Sequence, residues 1–588
     1  MRDPIARRAF GEHYTPEPIV LRTLGPLFLD SLRASGDLDA IAAVRFLDPA
    51  CGSGNFLVVA YRELRRLEMD AIALLRAAVE PTAARPATAG AAVAIAGAAV
   101  GGASAAADFV AGWWDAELWP RVRLENFYGI EVDAGAARVA SEALRIVERE
   151  CNREFSERFG VEVPPGPPAT IVVGNALTLD WASVCEPSSS VIVAGNPPYL
   201  GPKERSSSQT ADLRTVWGPR YSGLLDYVSG WFAKAAAYCE GDWAFVATNS
   251  IVHGQGVPTL FGAVFDAGWR IKFAHRPFTW PAAAVHCVIV GFTRSSPPTS
   301  INAYLVDGPD VLVTPRRTPL APDLPPVTAG SKAVDWGYLT VSPSDYAEVA
   351  ADPIASSYLR PYYGGEELIN ALDRWCLWFE GASLSSLYAS PLLAARLEAV
   401  HALRLSSPKP ATRAAAATPH LFHERRQPTV PYLGIPQTFT DNRSYATAGY
   451  LSSDVIASIK LFTAPDPDGF LFALISSAAF LTWQRTVGGR IKSDPSFTNT
   501  VVWNTLPLAR VSPDARLRVA QAGRNVLVAR NPSASLAAQY SQNTMPSALV
   551  SSHREIDAVV DALFGMHEGS RQEVLLKRYA ELTAPLAV

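Results

Sequence analysis

Cysteine is scarce in this chain: six residues in 588, at positions 51, 151, 185, 239, 287 and 376, with no Cys-x-x-Cys pair. Such spacing argues against a disulfide framework or a zinc site and fits a reducing, cytoplasmic compartment. A large excess of charge is also missing. The formal net charge is -4 and only 18% of residues are charged, so a surface for a polyanion has to be a local patch. The start, Met1-Arg2-Asp3-Pro4-Ile5, lacks the apolar core of a secretory signal. A charge-free span between Arg85 and Asp108 is long enough to cross a bilayer. It is mostly Ala and Gly, which drive insertion weakly. It reads as a low-complexity insert, about residues 83–107, and no membrane partner is expected. What remains, at 48% hydrophobic, is the composition of a soluble globular protein of roughly two to four domains.

The most informative stretch is Asn196-Pro197-Pro198-Tyr199, directly after the apolar run Val191–Gly195. The run reads as a buried strand. Two prolines end it, because neither can donate to a ladder and each fixes its own φ. An amide, two stiff carbonyls and an aromatic face are then held at a strand's carboxyl end, where open α/β sheets bind ligands. The Asn196 oxygen and the Pro197 carbonyl can each accept one N–H of a planar exocyclic amine, and Tyr199 can stack on its ring. The nitrogen lone pair stays free to attack a methyl donor.

Further strands alternate with helical runs. Val44 to Leu47 leads through Asp48-Pro49-Ala50-Cys51-Gly52-Ser53-Gly54-Asn55-Phe56 into a helix. Gly52 and Gly54 let a ligand approach the backbone, and the helix N-terminus favours negative charge. Leu57 stands where a dinucleotide fingerprint has its third glycine, so an aminoacyl-nucleoside is expected in place of NAD. Asp48 is placed for its amine. Phe127 to Asp133 forms a strand ending in Glu131 and Val132, with Glu131 able to hold ribose hydroxyls or to serve only the following helix. Thr170 to Gly174 ends at Asn175 and Ala176, where an adenine edge can bind. Trp243 to Asn249 and His286 to Phe292 complete the strands. The pattern predicts a doubly wound, mostly parallel α/β sheet. Ahead of it, Gly11-Glu12-His13-Tyr14-Thr15-Pro16 precedes an amphipathic run from Ile19 to Leu29, with Thr15 as its expected cap.

Together, the Asp-Pro-Ala-Cys-Gly-Ser-Gly-Asn-Phe and Asn-Pro-Pro-Tyr motifs resemble those of S-adenosylmethionine-dependent amino-methyltransferases of DNA. The preceding Gly-x-His-Tyr-Thr resembles the gamma class, which methylates N6 of adenine. Residues 196–204, 225–231, 273–280, 363–378 and 485–493, with Met545 to Leu549, resemble the modification part of type IIG restriction-modification enzymes of the IIL subgroup. The resemblance implies a Rossmann-like methyltransferase domain over residues 1–300, an α+β target-recognition domain over 301–510 and a helical segment over 511–588. It implies S-adenosylmethionine bound by Tyr14, Thr15, Asp48, Ala50, Gly52, Gly54, Asn55, Phe56, Glu131, Val132, Asn175 and Ala176. It also implies a flipped adenine held by Asn196, Pro197, Pro198 and Tyr199, with Phe278 on the second face. Double-stranded DNA is the expected partner. Three features depart from the family: Asn175 stands where Asp is usual, the Ala/Gly insert is long, and the sequence opens on the methyltransferase motifs where family enzymes first carry a nuclease and a helical connector. The common restriction nuclease needs Asp/Glu-x-Lys to hold a metal. None of the eight lysines has an acid two positions earlier, so no nuclease of its own and no metal site are expected. A separate nuclease or defence-system protein then becomes a possible partner. An RNA methyltransferase, a protein-glutamine methyltransferase or a specificity subunit remain alternatives.

Residues 401–510 carry eleven Lys/Arg against six Asp/Glu, a local basic surplus on an acidic chain. Arg443, Arg485, Arg490, Lys492 and Asp494 are the candidates for phosphate and base-edge contacts, with Gly488 and Gly489 allowing close approach to a duplex.

Overall fold

The computed structural model describes residues 15–79, 120–281, 285–297, 300–308, 310–491, 493–566 and 570–584. Tyr14, Lys492 and the Ala/Gly-rich insert lie outside them. The chain divides into two compact units, one running to Leu312, the other from Val313 onward and including His253–Gln255.

The first unit is built on a seven-stranded sheet: β1 (Arg45–Asp48), β2 (Phe127–Glu131), β3 (Thr170–Val173), β4 (Val191–Gly195), β5 (Trp243–Thr248), β6 (Arg270–Thr279) and β7 (His286–Thr293). Their order is β3-β2-β1-β4-β5-β7-β6. β7 runs antiparallel to both neighbours, and the other pairings are parallel. Every residue of β4 is buried, as a central strand covered on both faces requires. β3 lies at an edge and is half exposed.

β6 carries no apolar run that would mark it in the sequence. It mixes Arg270, Lys272, His275, Arg276 and Pro277, and its pairing with β7 slips between Ile271 and Phe273 and between His275 and Phe278. Edge strands tolerate charge, proline and bulges because one side of the ladder is free.

The helix of the first segment spans Glu17–Leu24 and widens into a π turn over Gly25–Leu29. Pro26 has no N–H for the Arg22 carbonyl four residues back. That carbonyl is hydrogen-bonded instead to His275 Nε2 at 2.9 Å, and Lys272 Nζ donates to the Leu27 carbonyl at 2.6 Å. β6 thus anchors the helix that Thr15 and Pro16 lead into. Helix Asn55–Val79 carries a buried Arg65–Glu68 ion pair, 3.3 Å apart. Glu68 Oε1 also accepts the N–H of Val122 at 3.0 Å, which holds the segment that leads into β2.

The second unit contains two four-stranded sheets and helices that include Phe470–Ile475, Ala478–Val487, Pro513–Ala529, Ser547–Phe564 and Arg571–Thr583. The buried stripe of helix Ser547–Phe564 is Leu549, His553, Ile556, Val560 and Phe564, and it includes a polar residue that hydropathy does not mark. His553 bonds the Ser476 carbonyl and the Tyr540 hydroxyl and stacks on Tyr445. Among the described residues no helix is long and apolar enough to cross a membrane.

Candidate active site

β1 and β4 pair directly, and the strand order reverses between them. At such a switch point the connections leave toward opposite faces and open a crevice at the carboxyl ends. Asp48 ends β1 and Gly195 ends β4. A Cβ on Gly195 would stand 2.3 Å from Asp48 Oδ1, so only glycine lets the two strand ends come this close. Asp48 is 1% exposed, and the Ala50 N–H donates to its Oδ1 at 3.0 Å. Burial, reinforced by the Glu131 carboxylate, pushes its pKa up to about 8. Burial thus favours its neutral form until a cation meets it.

The turn after β1 is held from both sides. Gly52 and Gly54 have φ of +54° and +89°. A Cβ on Gly54 would press on Ala140 at 3.0 Å, so this turn packs against helix Ala134–Phe159. Glu131 Oε2 accepts from the Gly52 N–H at 2.9 Å and Oε1 from the Asp133 N–H at 2.8 Å. The indole N–H of Trp231 donates to the Pro49 carbonyl at 3.0 Å. Asn55 opens the helix, Phe56 and Ala176 are buried, and Val132 is exposed. Asn175 is engaged within the chain at both ends of its amide. Oδ1 accepts from the Leu177 N–H at 2.9 Å, and Nδ2 donates to Asp212 Oδ2 at 3.0 Å. The Tyr227 hydroxyl donates to the same carboxylate oxygen.

Asn196 stands beside this turn. Its Nδ2 donates to Thr15 Oγ1 at 3.0 Å. Its Oδ1 is shut off from solvent and has no hydrogen-bond partner among the described residues. Thr15 is not the helix cap that the sequence suggested: the N-cap position is Pro16, and no side chain caps the helix. Downstream, Asp226 clamps the loop. Its Oδ1 accepts from the Leu200 and Val228 N–H groups at 3.0 and 3.2 Å, and its Oδ2 from Ser250 at 3.1 Å. Tyr199 is buried, with its hydroxyl accepting from Cys287 Sγ at 3.6 Å. Cys287 pairs with Phe278 across the β7–β6 ladder, so the two proposed stacking residues meet through one cysteine. The Arg22 guanidinium lies 4.8 Å from the Phe278 ring centroid.

In the second unit, strands Gly489–Ile491 and Asp494–Ser496 form a hairpin. Arg485 and Arg490 converge on one acid, Asp441, whereas Arg443 Nη1 is buried without a hydrogen-bond partner among the described residues. Arg490 Nη1 donates to Asp441 Oδ1 at 3.2 Å and to the Ser493 carbonyl at 2.7 Å. Arg485 Nη2 donates to the carbonyls of Asp441 and Arg443 at 2.6 and 3.0 Å. The Asp441 N–H donates to Asp494 Oδ1 at 3.0 Å. Gly488 is needed for packing on its own helix, since a Cβ there would stand 2.4 Å from the Gln484 carbonyl oxygen.

Sequence reasoning gave no roles to Asp212, Asp226, Trp231 or Asp441. The available signal for the first unit was Leu225-Asp226-Tyr227-Val228-Ser229-Gly230-Trp231, a family-like stretch whose residues bind the loops that carry the motifs. Among the described residues, no group of three or more His, Cys, Asp or Glu is disposed to hold a metal ion.

Three family profiles match the chain: "MmeI, DNA-methyltransferase domain" over residues 34–303, "MmeI, target recognition domain" over 307–510 and "MmeI, C-terminal domain" over 511–587. DNA methyltransferase A of Bacillus subtilis (strain 168) is 31% identical over 98% of this chain and 67% of its own length. The solved structure of the type IIL restriction-modification enzyme MmeI in complex with DNA is similar, at 32% identity and a TM-score of 0.83. The match covers 99% of this chain and 80% of that one.

Proposed function

Since this chain belongs to the MmeI family and is a DNA methyltransferase with a target recognition domain, we propose that it methylates the N6 amine of adenine with S-adenosylmethionine as donor. The observation that carries this reading is the Asn196 oxygen, buried and without a partner among the described residues. Leaving such an acceptor unsatisfied costs about 1–3 kcal/mol, which an amine N–H from the substrate relieves. The Pro197 carbonyl is the second acceptor. With both N–H groups held, the nitrogen lone pair faces away from Asn196 and Pro197.

The residues at the strand ends fit the donor. Asp48 is a buried carboxyl suited to the ammonium group. Glu131 accepts from Gly52 and Asp133 at the end of β2, where an acid can hold a ribose diol. Its hold on Gly52 keeps the turn in shape for the ligand. When bound, S-adenosylmethionine would supply an electrophilic methyl group on a sulfonium, with Asp48 and Glu131 as the residues that would hold it. Positioning and electrostatics carry the rate.

An adenine inside a duplex cannot reach this pocket and has to leave the stack. Tyr199 and Phe278 provide apolar faces for it, and Arg22 must give up the Phe278 ring for a base to lie there. Sequence discrimination is assigned to residues 355–510, with Arg443, Arg485, Arg490, Lys492 and Asp494 as the contacts. The test is to sequence the genomic DNA of a host expressing the protein for modified bases. N6-methyladenine in one sequence context is expected, and its absence from a host expressing Asn196→Ala. Methylation of cytosine alone would reject the assignment.

A further inference from the structure

We propose that Asp212 selects the nucleobase of the methyl donor: its carboxylate accepts the exocyclic amine of the donor's adenine, a task otherwise open to the acid that is usual at position 175. The proposal rests on the assignment of the strand ends, Asn175 included, to S-adenosylmethionine.

Asn175 is fixed by two groups with one role each. Its Oδ1 accepts from the Leu177 N–H at 2.9 Å, and its Nδ2 donates to Asp212 Oδ2 at 3.0 Å. A backbone N–H can only donate and a carboxylate can only accept, so the amide has one orientation. An Asp at position 175 would set two carboxylates against each other here, which disfavours the charged form of both. Asn175 turns the same approach into a hydrogen bond, and the carboxylate of the pair belongs to Asp212. The departure at 175 is thus a relocation of the acid, from a strand end to a helix.

Asp212 has an oxygen to offer. Oδ2 takes both donors, Asn175 and the Tyr227 hydroxyl, each at 3.0 Å, and Oδ1 has no hydrogen-bond partner among the described residues. The residue is half-buried. A purine amine presents N–H donors in the ring plane, which a carboxylate oxygen complements strongly. A purine with an oxo group at that place would meet Oδ1 as a second acceptor. The arrangement is held by the fold. Asp212 lies in helix Ser207–Trp217, and Trp217 Nε1 donates to Ser229 Oγ of helix Ser229–Tyr238 at 3.2 Å. A Cβ on Gly230 of that second helix would stand 2.9 Å from Leu177 and 3.1 Å from Leu213. Leu177 and Leu213, close in sequence to Asn175 and Asp212, therefore pack on one glycine and bring the pair together.

The experiment measures, by calorimetry on the full chain, the affinities for S-adenosylhomocysteine and for S-inosylhomocysteine, which carries an oxo group in place of the amine. The wild type is expected to prefer the adenosyl ligand on the order of tenfold to a hundredfold. Asp212→Asn keeps an oxygen for Asn175 and Tyr227 and puts N–H groups where Oδ1 stood. It is expected to weaken the adenosyl ligand about tenfold or more and to keep or strengthen the inosyl ligand, so that the preference is lost. Equal weakening of both ligands overturns the proposal, since Asp212 would then only hold Asn175, and so does a preference that the variant retains. If melting shows that the variant does not fold, Asp212→Ala is read by the same ratio. A wild type that binds both ligands alike removes the role of Asp212 and leaves the donor site standing. A wild type that binds neither rejects the donor assignment itself.

Discussion

The end of β4 and the hairpin at 489–496 differ in how they keep their polar groups. At β4 the fold buries an amide oxygen with no partner among the described residues and a carboxyl pushed up to about 8. At the hairpin two arginines share one acid: Arg485 and Arg490 meet Asp441, whose own N–H is held by Asp494. The first arrangement stores an unmet demand that a small ligand satisfies in one geometry. The second spends its charge on shape, so contact with a polyanion competes with an existing ion pair. A positive count in a sequence therefore overstates the charge available to DNA.

The largest effect is expected where the demand is unmet. Asn196→Ala should cost on the order of 10²-fold or more in methyl transfer and leave donor affinity intact, measured by single-turnover transfer beside calorimetry. Turnover near that of the wild type would remove the contrast between the two regions. Truncating Glu68 probes an ion pair that is buried and matched. Glu68→Ala leaves Arg65 charged and uncompensated, and should destabilise the protein by about 3–5 kcal/mol, read by denaturant unfolding. A shift near zero would mean that matched pairs here are not structural.

Asp48 links the site to pH. Its folded pKa, about 8, is above the ordinary carboxylate value, so the folded state binds the extra proton. The stabilisation from that proton is complete below the unfolded pKa, near 3.9, and is lost as pH rises through about 8. Asp48→Asn should therefore raise the melting temperature at pH 8 to 9 while weakening donor binding. In the wild type at pH 7, binding an ammonium should release about one proton, seen as a dependence of the calorimetric heat on the buffer's ionisation enthalpy. Heat independent of buffer would show that Asp48 is already ionised or remote from the ammonium.

The smallest and most selective effects belong to the hairpin. Asp441→Ala frees Arg485 and Arg490, and should strengthen binding to all DNA sequences and steepen its salt dependence. Arg490→Ala should cost about 1–3 kcal/mol at the true site and relax one position of it, if Arg490 reads a base. Mapping methylated sites for both variants separates the outcomes, and an unchanged salt slope in Asp441→Ala would show that the ion pairs do not compete with DNA.

Much of this was legible without coordinates because its determinants are local. β4 is bounded as Val191–Gly195, where the apolar run meets a proline pair. β1, β2 and β5 end within a residue or two of their expected positions, each at a turn signal. Asp48, Glu131 and Asn196 were identifiable as acids or amides at strand ends. Helix lengths were less legible: the helix after β2 runs over Ala134–Phe159, and its many polar residues leave only a sparse apolar stripe to announce its length.

By itself, the sequence determined where strands stop and which chemical groups stand at their ends, because hydropathy and proline geometry act over a few residues. Only the tertiary structure decided which of those groups have partners. β6 exists because β7 offers its free edge, not because its residues favour a strand. Thr15 meets Asn196 instead of capping a helix, Asp441 gathers arginines from the hairpin, and His553 joins a buried stripe because distant hydroxyl and carbonyl groups accept it. A hydrogen bond or ion pair between residues far apart in the chain depends on the path of everything between them, and no local pattern carries that information.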